Sequence, residues 1–309
     1  MHLPQEIRSK IAERAEGVGF GALQRAAAEI SQAYREGCVL PLKTPERLAA
    51  YLVTRMPATY AAANAVLREV RGRLGELRVE SVLDAGAGSG SASLAAMRWL
   101  GAERLTLFER DSGMAGFARE LLPGARVRME DFTFPSRFEP HDVVIASYAL
   151  GEAAAEQVMA RLWEAARVAL VVIEPGTPRG FGLIREIRSQ LLAGGAHMLA
   201  PCPREDACPV TGSDWCHFAA RVERTSLHRR IKQAELNYED EKFSYVAFTR
   251  EACALPSARI VRHPQHQPGL ITLETCTPRG FETVRATKRD REQFRAARRA
   301  DWGDAFGSV

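Results

Sequence analysis

The chain has 309 residues, 46% of them hydrophobic and 26% charged, with a formal net charge of +4. That length suits one α/β domain with an accessory region, and the small positive balance permits a polyanionic partner without requiring one. No apolar run approaches the roughly 18 residues of a membrane span, and the opening segment carries Glu6, Glu13 and Glu16 where a signal or transit peptide would avoid acids. The expected location is the cytoplasm.

Residues 1–76 read as a helical region, with apolar residues at helical spacing over 7–15, 21–35, 45–55 and 58–74. The pattern then changes. Over 77–194, strand-like runs at 79–84, 104–109, 126–130, 142–147 and 169–174 alternate with helical stretches at 91–101, 113–122, 152–168 and 181–193. Such alternation predicts a parallel sheet with helices on both faces. Residues 195–240 break it, with a cysteine loop over 195–220 and a basic helical stretch over 221–234. Three further runs, at 243–249, 259–262 and 270–275 within 241–280, are expected to complete a seven-stranded sheet. A Lys/Arg-rich helix over 282–300, in the closing segment 281–309, ends the chain.

The first strand runs into Asp84-Ala-Gly86-Ala-Gly88-Ser-Gly90. A nicotinamide or flavin site wants G-x-G-x-x-G under a pyrophosphate; here Ser91 stands where the third glycine would fall, and Asp84 would repel a pyrophosphate. S-adenosylmethionine instead brings an ammonium and a sulfonium to such a turn, where an acid is favourable. Glu109 ends the second strand, placed to accept hydrogen bonds from two ribose hydroxyls. Asp131 and Phe132 follow the third, an acid and a ring suited to the edge and face of an adenine. Ser147, ending the fourth, joins this donor-binding set.

Cys202, Cys208, Cys216 and Cys276 are spaced C-x5-C-x7-C-x59-C. Four thiolates are the ligand set of a structural zinc or of an iron–sulfur cluster. The tight C-x2–4-C knuckles of zinc sites are missing, and prolines follow Cys202 and Cys208. His197 and His217 nearby keep a mixed zinc site open. Cys38 and Cys253 stand apart and read as plain buried thiols.

Several segments together resemble one family: IEPGTPRGFGLIREIR (173–188), HMLAPCPREDACPVTGSDWCHF (197–218), DEKFSYVAFTR (240–250) and SYALGE (147–152). They look like the methyltransferase-like proteins associated with the mitochondrial small ribosomal subunit, and their bacterial relatives, over about residues 45–280. The resemblance implies a class I methyltransferase fold and a [4Fe–4S] cluster on Cys202, Cys208, Cys216 and Cys276. It also implies a donor pocket using Asp84, Gly86, Gly88, Gly90, Glu109 and Asp131, and a role in maturing the small ribosomal subunit.

A catalytic group is harder to name. The turn Ser147-Tyr148-Ala149-Leu150 lacks the paired prolines found in many base-amine methyltransferases, and no cysteine nucleophile lies between Cys38 and Cys202. Tyr148 and Glu152 are the remaining polar candidates, and methyl transfer by alignment alone needs neither. Basic residues provide a candidate RNA surface: Arg229 and Arg230 after the cysteine loop, and Lys288, Arg289, Arg295 and Arg299 toward the C-terminus. With the family resemblance, these residues imply an rRNA methyltransferase of the small subunit. Its alternatives are a non-catalytic assembly factor with a retained donor pocket, and a zinc-clipped methyltransferase of small molecules.

Overall fold

The computed structural model describes residues 3–36, 40–134, 137–152 and 155–307. The chain forms two compact units, Met1–Ile173 with Ala220–Glu241, and Glu174–Ala219 with Lys242–Val309.

The first unit opens with four helices, α1 (Gln5–Glu16), α2 (Phe20–Glu36), α3 (Pro45–Thr54) and α4 (Met56–Leu74). Thr44 starts α3, its hydroxyl accepting the Arg47 amide at 3.3 Å with Pro45 in the first turn. The alanine-rich α4 is buried on most of its circumference, and its Asn64 accepts the indole N–H of Trp99 at 2.9 Å. Then come β1 (Ser81–Ala85), α5 (Ser91–Leu100), β2 (Arg104–Phe108), α6 (Ser112–Leu121), β3 (Arg126–Arg128), β4 (His141–Ser147), α7 (Ala155–Ala165) and β5 (Ala166–Pro175). These strands pair in parallel in the order β3-β2-β1-β4-β5. Val143–Ala146 and Ala169–Ile173 are fully buried, as continuous apolar runs must be when helices cover both faces of a sheet.

Next in the chain are α8 (Pro178–Ala193), β6 (His197–Ala200), β7 (Phe218–Glu223), α9 (Ser226–Ile231) and β8 (Tyr238–Thr249). In the second unit β6 runs antiparallel to β8. The last elements are β9 (Ala258–Ile260), β10 (Gln265–Gln267), β11 (Leu270–Thr277), β12 (Gly280–Thr287), α10 (Arg291–Arg299) and β13 (Ala305–Phe306). These five strands form a separate antiparallel sheet in the order β10-β11-β9-β13, with β12 on β11.

Three expectations are corrected. The runs at 259–262 and 270–275 do not complete the large sheet. Burial along β11 alternates over its first half, the mark of a sheet with one wet face. The stretch 221–234 is not one helix: Phe218, Ala220 and Val222 are buried between more exposed neighbours at period two, which is strand β7, and α9 has six residues. Likewise 280–287 is strand β12, rich in β-branched residues, and the closing helix begins only after Asp290, whose carboxylate accepts the Gln293 amide at 3.0 Å. Lys288 and Arg289 are thus turn residues. In both places charge masked the period.

Candidate functional site

A cavity of about 570 Å³ in the first unit lies at the C-terminal ends of β1, β2 and β4, where ligands bind in sheets of this kind. Gly86, Gly88, Glu109, Asp131, Phe132 and Ser147 all line it. Gly86 has φ +72°, and a Cβ there would stand 2.6 Å from the Ala149 Cβ and 3.1 Å from the Phe132 ring. Only glycine fits both the left-handed backbone and the close approach. The two oxygens of Glu109 accept the amides of Gly88 and Asp111, each at 2.7 Å. Burial raises its carboxyl against those bonds. Burial also pushes Asp131 upward, but the Thr133 hydroxyl at 2.7 Å, its amide at 2.9 Å and Arg110 at 3.2 Å outweigh it, so that carboxyl sits below its ordinary value.

Asp84 and Gly90 are not among the cavity's lining residues. Asp84 is fully buried beneath the turn and holds the start of α5, accepting the Ser93 amide at 3.1 Å and hydroxyl at 2.6 Å. Burial drives its pKa up to about 6, against the Ser93 bonds. Its Oδ1 is buried and has no partner among the described residues. Gly90 supplies the left-handed N-cap of α5, φ +86°.

The other wall of the cavity comes from the N-terminal helices and includes Tyr34, Tyr51, Arg55 and Thr59, which sequence reasoning missed. Arg55 pairs with Glu241 through two bonds of 3.2 Å and stacks at 4.4 Å over the Tyr34 ring. Tyr148 donates to the same Glu241 carboxylate at 3.0 Å. Burial and then the Glu241 charge hold the Tyr148 phenol well above its ordinary value, so it stays protonated at neutral pH. The signal was an arginine inside an otherwise apolar helical stretch, which has to be paired. The side chain of Glu152 lies outside the described residues.

In the second unit, Cys202, Cys208, Cys216 and Cys276 line one small cavity of about 50 Å³. Sequence-distant Cys276 reaches it because β11 carries it there, while the other three come from the loop between β6 and β7. Burial raises the thiols of Cys202 and Cys216, and that of Cys276 to about 12, with neighbouring cysteines adding to the effect. Among the described residues no three His, Cys, Asp or Glu side chains form a ready single-ion site. Neither His197 nor His217 lines the cavity: His197 meets Glu205 at 3.4 Å, and His217 stacks on Trp215. The Cys253 thiol donates to the Met198 carbonyl at 3.3 Å, away from this cavity; Cys38 lies outside the described residues.

The basic residues fall on separate elements. In the first unit Arg229 and Arg230 are exposed on α9, with Arg230 4.8 Å from the Phe20 ring. In the second, Phe294 and Ala297 turn one face of α10 onto Ile260, Ile271 and Leu273, leaving Arg295 and Arg299 exposed together with Lys288 and Arg289 in the preceding turn.

The profile for the family described as mitochondrial small ribosomal subunit Rsm22 matches residues 45–307. The chain belongs to the Rsm22 family. It is 27% identical over 285 residues to the human ribosome assembly protein METTL17, mitochondrial, which covers 82% of this chain and 61% of that one. It is also 22% identical to an Rsm22-cox11 tandem protein of Schizosaccharomyces pombe, over 85% of this chain and 43% of that one. The chain thus spans less than two thirds of each relative. Among solved structures, magnesium protoporphyrin IX methyltransferase from Synechocystis is similar with a TM-score of 0.41 and 15% identity, over 63% of this chain and 80% of that one. The plantazolicin methyltransferase BpumL gives 0.44 and 12%, over 80% and 100%. Among the described residues of this Rsm22-family chain, no helix is long and apolar enough to cross a membrane.

Proposed function

We propose that this chain is an S-adenosylmethionine-binding assembly factor of the small ribosomal subunit that carries a [4Fe–4S] cluster on Cys202, Cys208, Cys216 and Cys276. The observation that carries it is the Rsm22 match over residues 45–307, with a ribosome assembly protein among the relatives. The cavity at Gly86 and Gly88 supports the donor: its volume suits a nucleoside-sized ligand, Glu109 offers two carboxylate oxygens to a ribose, and Phe132 offers a ring to a base. Such a donor supplies an activated methyl on a sulfonium. Beside it the Tyr148 phenol is engaged by Glu241. Four thiols around one cavity support the cluster. The exposed Arg229, Arg295 and Arg299 fit a phosphate backbone, and the proposed partner is the rRNA of the small subunit in the cytoplasm.

A second reading, rRNA methylation, is favoured by the intact glycine turn. Transfer of labelled methyl to small subunits from a strain lacking this gene separates the two. Bound protein without label supports the assembly factor. Label in the rRNA makes it an enzyme, and absence of both binding and label sinks each.

A further inference from the structure

The cysteine cavity is lined by four arginines as well as four cysteines, namely Arg185, Arg188, Arg204 and Arg259, and no aspartate or glutamate lines it among the described residues. Arg188 is 4% exposed and Arg259 2%. Charged side chains at that depth demand partners. Arg259 finds carbonyls, those of Pro201 at 2.9 Å and Gly303 at 2.8 Å. Arg188 is only half satisfied. Its Nη2 donates to the carbonyls of Arg204 and Asp206 at 2.8 and 2.7 Å, which pins the cysteine loop. Its Nε, however, is buried without a hydrogen-bond partner, and so is the Nε of Arg204. Leaving a buried charged donor unmade costs more than a bond returns, so two such donors beside one cavity mark a missing acceptor. Arg188 and Cys202 line the same cavity.

A cluster bound by four thiolates is an anion whose charge grows by one when it takes up an electron, and its sulfurs accept N–H bonds. Net charge and hydrogen bonds to the sulfurs set its potential. Resting on the cluster reading above, we propose that Arg188 and Arg204 donate N–H···S hydrogen bonds to the cluster and raise its reduction potential. Arg188 also fixes the loop that carries Cys202 and Cys208. They are positioning residues: they hold the group and bias its charge, and transfer no atom.

The test is a redox titration of the full chain, purified without oxygen, with iron and sulfide measured alongside. Arg188→Lys keeps the charge and removes the Nε donor; Arg204→Gln removes the charge on a partly exposed side chain. Each variant should keep the iron and sulfide of the unaltered protein and titrate at a lower midpoint potential, with the double variant lower still. Unchanged potentials in variants that hold the cluster would overturn the arginine proposal and leave the cluster reading standing. Unaltered protein that binds zinc, or no iron, would remove the reading on which it rests. Should both variants lose the cluster, pulsed EPR of the reduced, unaltered protein carrying isotope-labelled arginine decides. Coupling to an arginine nitrogen supports the proposal, and its absence refutes it.

Discussion

The phenol of Tyr148 donates to the carboxylate of Glu241 at 3.0 Å, across 93 positions of chain, and Arg55 grips that same carboxylate from the N-terminal helices. Three elements far apart in sequence meet in one buried charge pair beside the pocket. Arg55 and Glu241 have side chains only 13% and 10% exposed. Removing one partner from such a pair leaves a buried charge behind, at a cost of about 3–5 kcal/mol. Glu241→Ala should therefore lower the unfolding free energy in urea by about that much. Tyr148→Phe, which deletes one bond, should cost about 1–2 kcal/mol. Equal effects would show that the ion pair does not dominate this wall of the pocket.

Gly86→Ala should keep the fold and lose the ligand. The added methyl meets Ala149 and Phe132 at a backbone φ of +72°, and relief of that clash moves the turn into the cavity. Titration calorimetry with S-adenosylmethionine should show at least a tenfold weaker affinity, equivalent to about 1.4 kcal/mol, with an unchanged circular dichroism spectrum. Undiminished affinity would place the donor elsewhere.

Asp84 makes a pH-dependent prediction. Burial raises its pKa from 3.8 to about 6 in the folded chain, so the native state binds the proton more tightly than the unfolded state does. The aspartate's contribution is thus fully present below pH 3.8 and is lost as pH rises through 6. Asp84→Asn escapes that loss. Without ligand, the variant should be more stable than the parent above pH 6, by on the order of 3 kcal/mol, and the difference should close toward pH 4. A gap independent of pH would contradict the buried, proton-hungry carboxyl.

Much of this arrangement was legible in the sequence. The glycine turn, Glu109, Phe132 and the cysteine spacing are local patterns whose geometry follows from short-range rules, and they converge on two cavities. Asp84 misleads because a motif position does not reveal whether a carboxylate faces the ligand or the helix behind the turn; here it holds Ser93. The strands over 218–223 and 280–287 were hidden by charged residues, Arg221 and Glu223 in the first and Glu282 and Arg285 in the second, where charge reads as helix surface. Arg55, Glu241 and Arg188 were illegible for another reason. Their meaning comes from partners 186 positions away in the first pair, and from carbonyls 16 and 18 positions on for Arg188, contacts that no local pattern encodes.

Cys208→Ser should reduce folded yield and iron content together. The thiol is one of four at a cavity walled by the loop, α8 and β8, to which β11 brings Cys276, so the loss is of a tie and not only of a ligand. Normal yield with unchanged metal content would remove the idea that the four cysteines clip this unit.

Association with the particle tests the central claim most directly. Lysate from cells expressing the full chain with a small tag would be run on a sucrose gradient at low and at raised salt. The account predicts the protein in the small-subunit fraction at low salt, released as salt rises because exposed arginines carry the binding. Protein that stays at the top of the gradient with free proteins, at every salt concentration and growth stage, would contradict it.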